Sequence, residues 1–333
     1  MAARYLIRLV GVFLFILILL HIDFSNIGFL ISNADVFGLL LGVLLVVPIM
    51  LVKGSRWFLL SRGLELNIRL AEAIDGLCIA QMTSFTLPGA LGDLVRVPYL
   101  KCRGNPSDRS ILSLFIDAVV AAIIPYLAAM LGIVLVFGVG SLLIMEALLF
   151  VLCFIGGCYA LYRLLRIIVR PWWLRSRLSL LKNDGVVGRF FLNLRESVRT
   201  IGLPTIIVAV SLSGFAWFMY TVQSWILAEA LHIHITWLEV ALSVTLASML
   251  AVIPISIQGI GVREGLLLLV MGGIFGVDPT SVILFSILLT IVSLSPSIWG
   301  LVSWMRDPFV KLRPESVEVA IIEPSHSIVE TDD

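Results

Sequence analysis

Arg263 and Glu264 stand side by side in one of the most apolar stretches of the chain, and Arg96 follows Asp93 by three residues in another broken one. Guanidinium groups recognise phosphate and carboxylate through a fork of parallel donors. Charged side chains among apolar ones are costly to keep and by default mark a ligand or ion pathway. Each pair also adjoins backbone that a straight spanning helix would not carry: Pro88 and Gly92 before Arg96, and Pro254, Gly259 and Gly261 before Arg263. Proline removes a donor, glycine admits positive φ, and broken backbone at membrane depth persists only where protein or a wet cavity surrounds it. The chemistry within reach is anion binding, with Arg96 and Arg263 on a phosphate and helix N-termini assisting. The alternative is that each arginine is locked to a carboxylate, Arg263 to Asp93 among others. Asp93 and Glu264 are then counter-ions or proton carriers. Asp117, one turn from Ser113, either lines the same cavity or caps a helix end.

The elements that must position these residues are membrane helices. Of 333 residues, 60% are hydrophobic and 14% charged, a composition that excludes a soluble globular domain. Six apolar segments are long enough to span: 5–22, 36–60, 110–137, 142–165, 203–231 and 282–305. Lysine and arginine gather in the last turns of the second span and just after it (Lys53, Arg56, Arg62, Arg69), in the segment 163–202 and after the last span. The positive-inside rule therefore puts both termini in the cytoplasm and the whole chain, multi-pass, in the cytoplasmic (inner) membrane. On this reckoning Arg96 and Arg263 are the only two basic residues at depth.

The segments 71–100 and 238–277 each begin and end on one side; the first is too short to cross twice, and in the second the leg after Gly265 is only about a dozen residues, too short to cross. They read as re-entrant hairpins entering from opposite faces. The expected fold is all-α and polytopic, six spanning helices plus two opposed re-entrant hairpins, with eight spanning helices as the alternative. Paired interrupted segments in two halves are also the pattern of an inverted-repeat transporter. Residues 1–306 form one membrane domain, including a cytoplasmic basic loop at 163–202 in which nine basic residues outnumber Asp184 and Glu196. Residues 307–333 read as a disordered tail.

Catalytic signatures are missing. No GxSxG, Walker A, HExxH or dinucleotide loop occurs. The four cysteines form no CxxC, and His232 and His234 have no third ligand nearby, so neither a metal nor another cofactor is expected. Nothing points to nucleic acid.

The stretches Leu87–Arg96 and Ile253–Glu264, the second ending Pro-x-x-x-Gly-x-Gly-x-Arg-Glu, resemble the two hallmark motifs of the lysylphosphatidylglycerol synthase transmembrane (flippase-like) family. The first departs from the family pattern, with Gly92-Asp93 in place of Gly-Glu and Gly89-Ala90 in place of a small-Arg pair, which leaves it one charge poorer. The resemblance covers about residues 5–305. It implies the translocation half alone, because only 28 residues follow Met305 and the aminoacyltransferase domain of the best-known members has no counterpart there. The implied function is flipping of an anionic phospholipid or lipid-linked cell-envelope intermediate. The alternative is an accessory subunit or membrane-embedded enzyme that hands such a lipid to an envelope transferase partner, with the basic loop as the docking surface. Arg263 is expected within reach of the first hairpin.

Overall fold

The computed structural model describes residues 33–84, 89–137, 201–251 and 261–306. The expected spans 5–22 and 142–165, the basic loop 163–202, the tail 307–333, and Pro88, Pro254 and Gly259 lie outside the described residues. Within them every regular element is helical, with no strand.

In chain order the elements are α1 (Val36–Leu44), α2 (Val46–Gly63) and α3 (Leu70–Thr83), then a 3-10 turn (Gly89–Val95) leading into α4 (Arg96–Lys101). They continue as α5 (Ser107–Phe137), α6 (Leu203–Ala230), α7 (Trp237–Ala251) and α8 (Val262–Leu267), which runs on as a π-helix (Leu268–Ile274), and end with α9 (Pro279–Arg306). Four stretches are long and apolar enough to cross a membrane: Val36–Gly63, Ser107–Val136, Leu203–Ala230 and Pro279–Arg306. The 28-residue ones measure about 42 Å at 1.5 Å per residue, against about 30 Å of hydrocarbon. The molecule is a polytopic membrane protein.

The long helices are registered by polar contacts at several levels. Asp35 donates its backbone N–H to the Ala230 carbonyl, and the Gln223 amide donates to the Gly42 carbonyl. Arg56 donates to Ser213 Oγ, and Gly63 packs on Ile201. Helix α6 therefore runs antiparallel to α1 and α2 along their whole length. Pro204 in its first turn suits an N-terminus, where no intrahelical donor is lost.

Both segments between the long helices are hairpins. Helix α3 has 14 residues, about 21 Å, too short to span. The chain then folds back along it, and its return is pinned at both ends. At the tip, Thr83 Oγ1 donates to the Gly92 carbonyl, and a Cβ on Gly92 would lie 2.5 Å from the Ser84 backbone nitrogen. Only glycine lets the returning backbone come so close. At the base, Tyr99 donates to the Glu72 carbonyl, and the Asn105 side chain both donates to and accepts from the Asn67 backbone. The second hairpin lays α8 back against α7.

Two apolar cores stack along the molecule. One joins Trp57, Leu60, Leu64, Tyr99, Leu112, Ile116 and Ile201 around the first hairpin. The other joins Leu227, Leu231, Val240, Leu267, Met271, Val282 and Phe285 around the second. Helices α2 and α6 run from one core to the other, so the two hairpins pack at opposite ends of these helices. The end holding the first carries Arg62, Arg69, Lys101, Arg103, Arg109 and Arg306. The other, at 33–35, 231–237 and 275–279, has neither lysine nor arginine.

Candidate functional site

The first hairpin carries the charged centre. Its 3-10 turn delivers Arg96 to the start of α4, where the guanidinium meets Asp117 of α5: Nη1 donates to Oδ2 at 2.9 Å. The other Asp117 oxygen accepts from Arg56 Nε of α2 at 2.8 Å. One carboxylate thus bridges two guanidiniums from two helices, and the side chains of Asp117 and Arg96 are only 2% and 4% exposed. Arg56 reaches a fourth element through Ser213 on α6, 3.1 Å away. Arg96 Nη2 also pairs with Asp93 Oδ1 at 2.9 Å, and Asp93, 43% exposed, forms the mouth of the site. The Arg96 guanidinium lies 4.9 Å above the Trp57 ring, a cation–π contact in a desolvated setting. Arg56 precedes Gly63 by seven residues and Asp117 follows Ser107 by ten, so the centre lies about 10–15 Å in from the basic end.

Lys53 precedes Arg56 and Trp57 by three and four residues on α2, the spacing that shares a helix face. Among the described residues it makes no direct ion pair. The centre itself sets two buried arginines (Arg56, Arg96) on one buried carboxylate (Asp117), with the partly exposed Asp93 beside them. Among the described residues Arg96 Nε and Trp57 Nε1 are buried here without a hydrogen-bond partner, as is Ser61 Oγ one turn further along α2. The first two can only donate.

The second hairpin carries a smaller centre. Gly261, at φ +87°, turns the chain into α8, and Glu264 reaches back to accept its N–H. That carboxylate satisfies one of the donors left open at the helix start and suits the positive end of its dipole. Glu264 Oε1 also accepts from Ser286 Oγ at 2.9 Å and faces Arg263 Nη2 at 3.3 Å. Arg263 donates further to the Ser286 carbonyl and to Thr290 Oγ1, both on α9. Its Nε is buried without a partner among the described residues.

These positions correct two expectations. Arg56, assigned from the charge pattern to the membrane surface, is buried, as Arg96 is. A run of Lys53, Arg56, Trp57, Leu60 and Ser61 at helical spacing, polar and aromatic on one face, is the signal that marks it. Among the described residues Arg263 makes its hydrogen bonds with α8 and α9 rather than with the first hairpin. Helix α9 is the intermediary: one turn beyond Thr290, the Ser293 carbonyl accepts from Gln81 of α3 at 3.3 Å. Among the described residues Asp93 pairs with Arg96 and not with Arg263, and Asp117 is buried within α5 rather than at a helix end. Gly92 and Gly261 sit at the two turns.

No group of three or more histidine, cysteine, aspartate or glutamate side chains among the described residues is arranged to hold a metal ion. Comparison with curated proteins and with solved structures returned no match. The family model described as "Lysylphosphatidylglycerol synthase TM region" matches residues 5–300. With nearly all of the apolar region covered, both charged centres included, the chain belongs to the lysylphosphatidylglycerol synthase transmembrane-region family.

Proposed function

We propose that this protein translocates an anionic lipid, a phospholipid or a lipid-linked envelope intermediate, between the leaflets of the cytoplasmic membrane. It acts as a transporter rather than an enzyme. The observation that carries this reading is the buried centre around Asp117, where two buried arginines, Arg56 and Arg96, share one buried carboxylate beside a hairpin too short to cross a bilayer. A buried excess of positive charge is stable only with a counter-anion or with solvent, and the Asp93 mouth gives a head group its approach. The Asp93–Arg96 pair is partly exposed and so contributes little. A phosphate oxygen can replace Asp93 on Arg96 while the buried Asp117 bridge holds the guanidinium in place.

Two further features support the reading. The basic end of the molecule belongs in the cytoplasm by the positive-inside rule, with both hairpins re-entrant. The Arg96 and Arg263 centres then stand one in each half of the bilayer, since Arg263 lies eleven residues, about 16 Å, from the other end at Ile274. Broken segments in two halves flanking a polar site are the arrangement in which a bundle rocks around its substrate. The Ser286, Thr290 and Ser293 face of α9, which touches both hairpins, is the surface along which a head group is handed on.

The test is transfer of a head-group-labelled anionic lipid in proteoliposomes, read by dithionite quenching. The parent protein should equilibrate the leaflets, whereas Arg96→Gln and Arg263→Gln should slow transfer at least about tenfold while still folding. Transfer at the parent rate by both folded variants refutes the assignment.

A further inference from the structure

Helix α9 touches both hairpins, and its contacts divide near its middle. On the N-terminal side it holds the second hairpin: Ser286 Oγ donates to Glu264, Arg263 donates to the Ser286 carbonyl and to Thr290 Oγ1, and Phe285 and Leu289 lie in the core around that hairpin. On the C-terminal side it holds the first. The Ser293 carbonyl accepts from Gln81 at 3.3 Å, and Trp299 Nε1 donates to Asp75 Oδ1 at 2.8 Å. Gly300 lies against the backbone of α3, where a Cβ would stand 2.5 Å from the Cys78 carbonyl carbon. Between the two sets the helix ladder is weakened. Pro296 sits inside α9 and has no N–H, so the bond that would return to the Val292 carbonyl is missing. Ser295 Oγ donates to that carbonyl instead, at 2.8 Å. Thr290 Oγ1 bonds back to the Ser286 carbonyl, and Ser293 Oγ to the Thr290 carbonyl. Hydroxyls that bond back in this way compete with the backbone ladder and bend helices. Ser297 Oγ, one residue past the proline, is buried without a partner among the described residues, so its donor is unused in this conformation.

We propose that α9 is hinged at residues 292–296 and that the two hairpins move against each other by bending there. Each hairpin is fastened to its own half of the helix, so a change of angle at the hinge carries that hairpin with it. The inference rests on the translocation reading for its use, the bend being the step that turns the polar site from one leaflet to the other. The lever arm sets the size of the movement. Pro279 precedes Val292 by thirteen residues, about 20 Å, so a change of about 20°, the size of a proline kink, moves that end of α9 by about 7 Å. Ser295 keeps the cost of bending low. A carbonyl freed by proline inside a membrane has no water to turn to, and the hydroxyl replaces the missing donor. The positioning residues are therefore Pro296 and Ser295, neither of which belongs to a charged centre.

The experiment is pulsed electron paramagnetic resonance on the full chain in lipid nanodiscs, with Cys78, Cys102, Cys153 and Cys158 replaced by alanine. Spin labels go on Leu135→Cys and Ile274→Cys. Leu135 is exposed on α5, which Asp117 ties to the first hairpin, and Ile274 is exposed at the end of the second. The parent should show two distances at least about 5 Å apart, as the lever arm requires. Pro296→Ala, which supplies the missing N–H, should merge them into one. Ser295→Ala, which strips the Val292 carbonyl of its donor, should shift the balance between the two. A merely structural role for these residues would move the melting temperature and not the distances. The hinge is overturned if the parent shows one distance, if folded Pro296→Ala keeps both in the parent proportion, or if Ser295→Ala leaves the balance unchanged. Lipid transfer is measured separately. Two distances that merge in Pro296→Ala, in a parent that transfers no lipid, overturn the translocation reading alone, and transfer by a parent with a single distance overturns the hinge alone.

Discussion

Replacing Asp117 by asparagine removes one charge from the most buried ionic contact in the described structure and almost nothing from its shape. Asp117 now holds Arg56 at 2.8 Å and Arg96 at 2.9 Å. Asparagine offers one acceptor oxygen and turns an NH2 donor towards the second guanidinium, so one arginine loses its partner and meets a donor instead. Breaking a buried pair from one side costs about 3–5 kcal/mol. The lower end applies, since Arg96 keeps Asp93 and Arg56 keeps Ser213. A loss of about 3 kcal/mol is a large share of the total stability of a folded chain, about 5–15 kcal/mol. It should lower the melting temperature by about 6–12 °C. The assay is thermal unfolding in detergent, followed by a dye that fluoresces on reacting with newly exposed thiols; buried Cys78 serves as a reporter inside the first hairpin. Asp93→Asn is the control. Its carboxylate is 43% exposed, so the change should cost under about 1 kcal/mol. Combining Asp117→Asn with Arg96→Met should cost less than the sum of the two, by about 1–3 kcal/mol, because the residues are coupled. If Asp117→Asn melts with the parent, or the two substitutions add, the bridge does not hold the hairpin and the reasoning fails.

The other predictions concern the turns and the helix that joins them. Gly92→Ala places a Cβ 2.5 Å from the Ser84 backbone nitrogen, so the hairpin tip must open; destabilisation of about 1–3 kcal/mol should appear in the same melt, with faster labelling of Cys78 below the transition. Glu264→Ala removes the acceptor for the Gly261 N–H and Ser286 Oγ and the counter-ion of Arg263, and should cost about 3 kcal/mol or more, with Glu264→Gln recovering part of it. Gly300→Val sets side-chain carbon 2.5 Å from the Cys78 carbonyl carbon, and α9 must move off α3. A disulfide-trapping pair placed across α3 and α9 should then cross-link more slowly than in the parent.

Composition and charge placement alone were enough to read the class of this molecule. A chain that is 60% hydrophobic has few alternatives to membrane helices, and four of the expected spans fall on described helices. The two broken segments were legible for the same kind of reason. Pro and Gly interrupt a hydrophobic run in ways that local backbone physics forbids to a straight helix, so the turns at Gly92 and Gly261 could be located before any fold was known. The pairing of charges was not legible. Arg56 and Arg62 differ by six residues and sit in the same basic cluster, yet one is buried on Asp117 and the other faces outward. What separates them is the helical phase of α2 against α5 and α6, which depends on partners 61 and 157 residues away. Arg263 was likewise expected at the first hairpin, and the route through Thr290 and Ser293 appears only once α9 is packed between the hairpins. Hydrophobicity and chain-breaking are properties of a residue and its near neighbours, so they can be read along the chain. Which cation meets which carboxylate is decided by the relative rotation of separate helices, and that exists only in the tertiary structure.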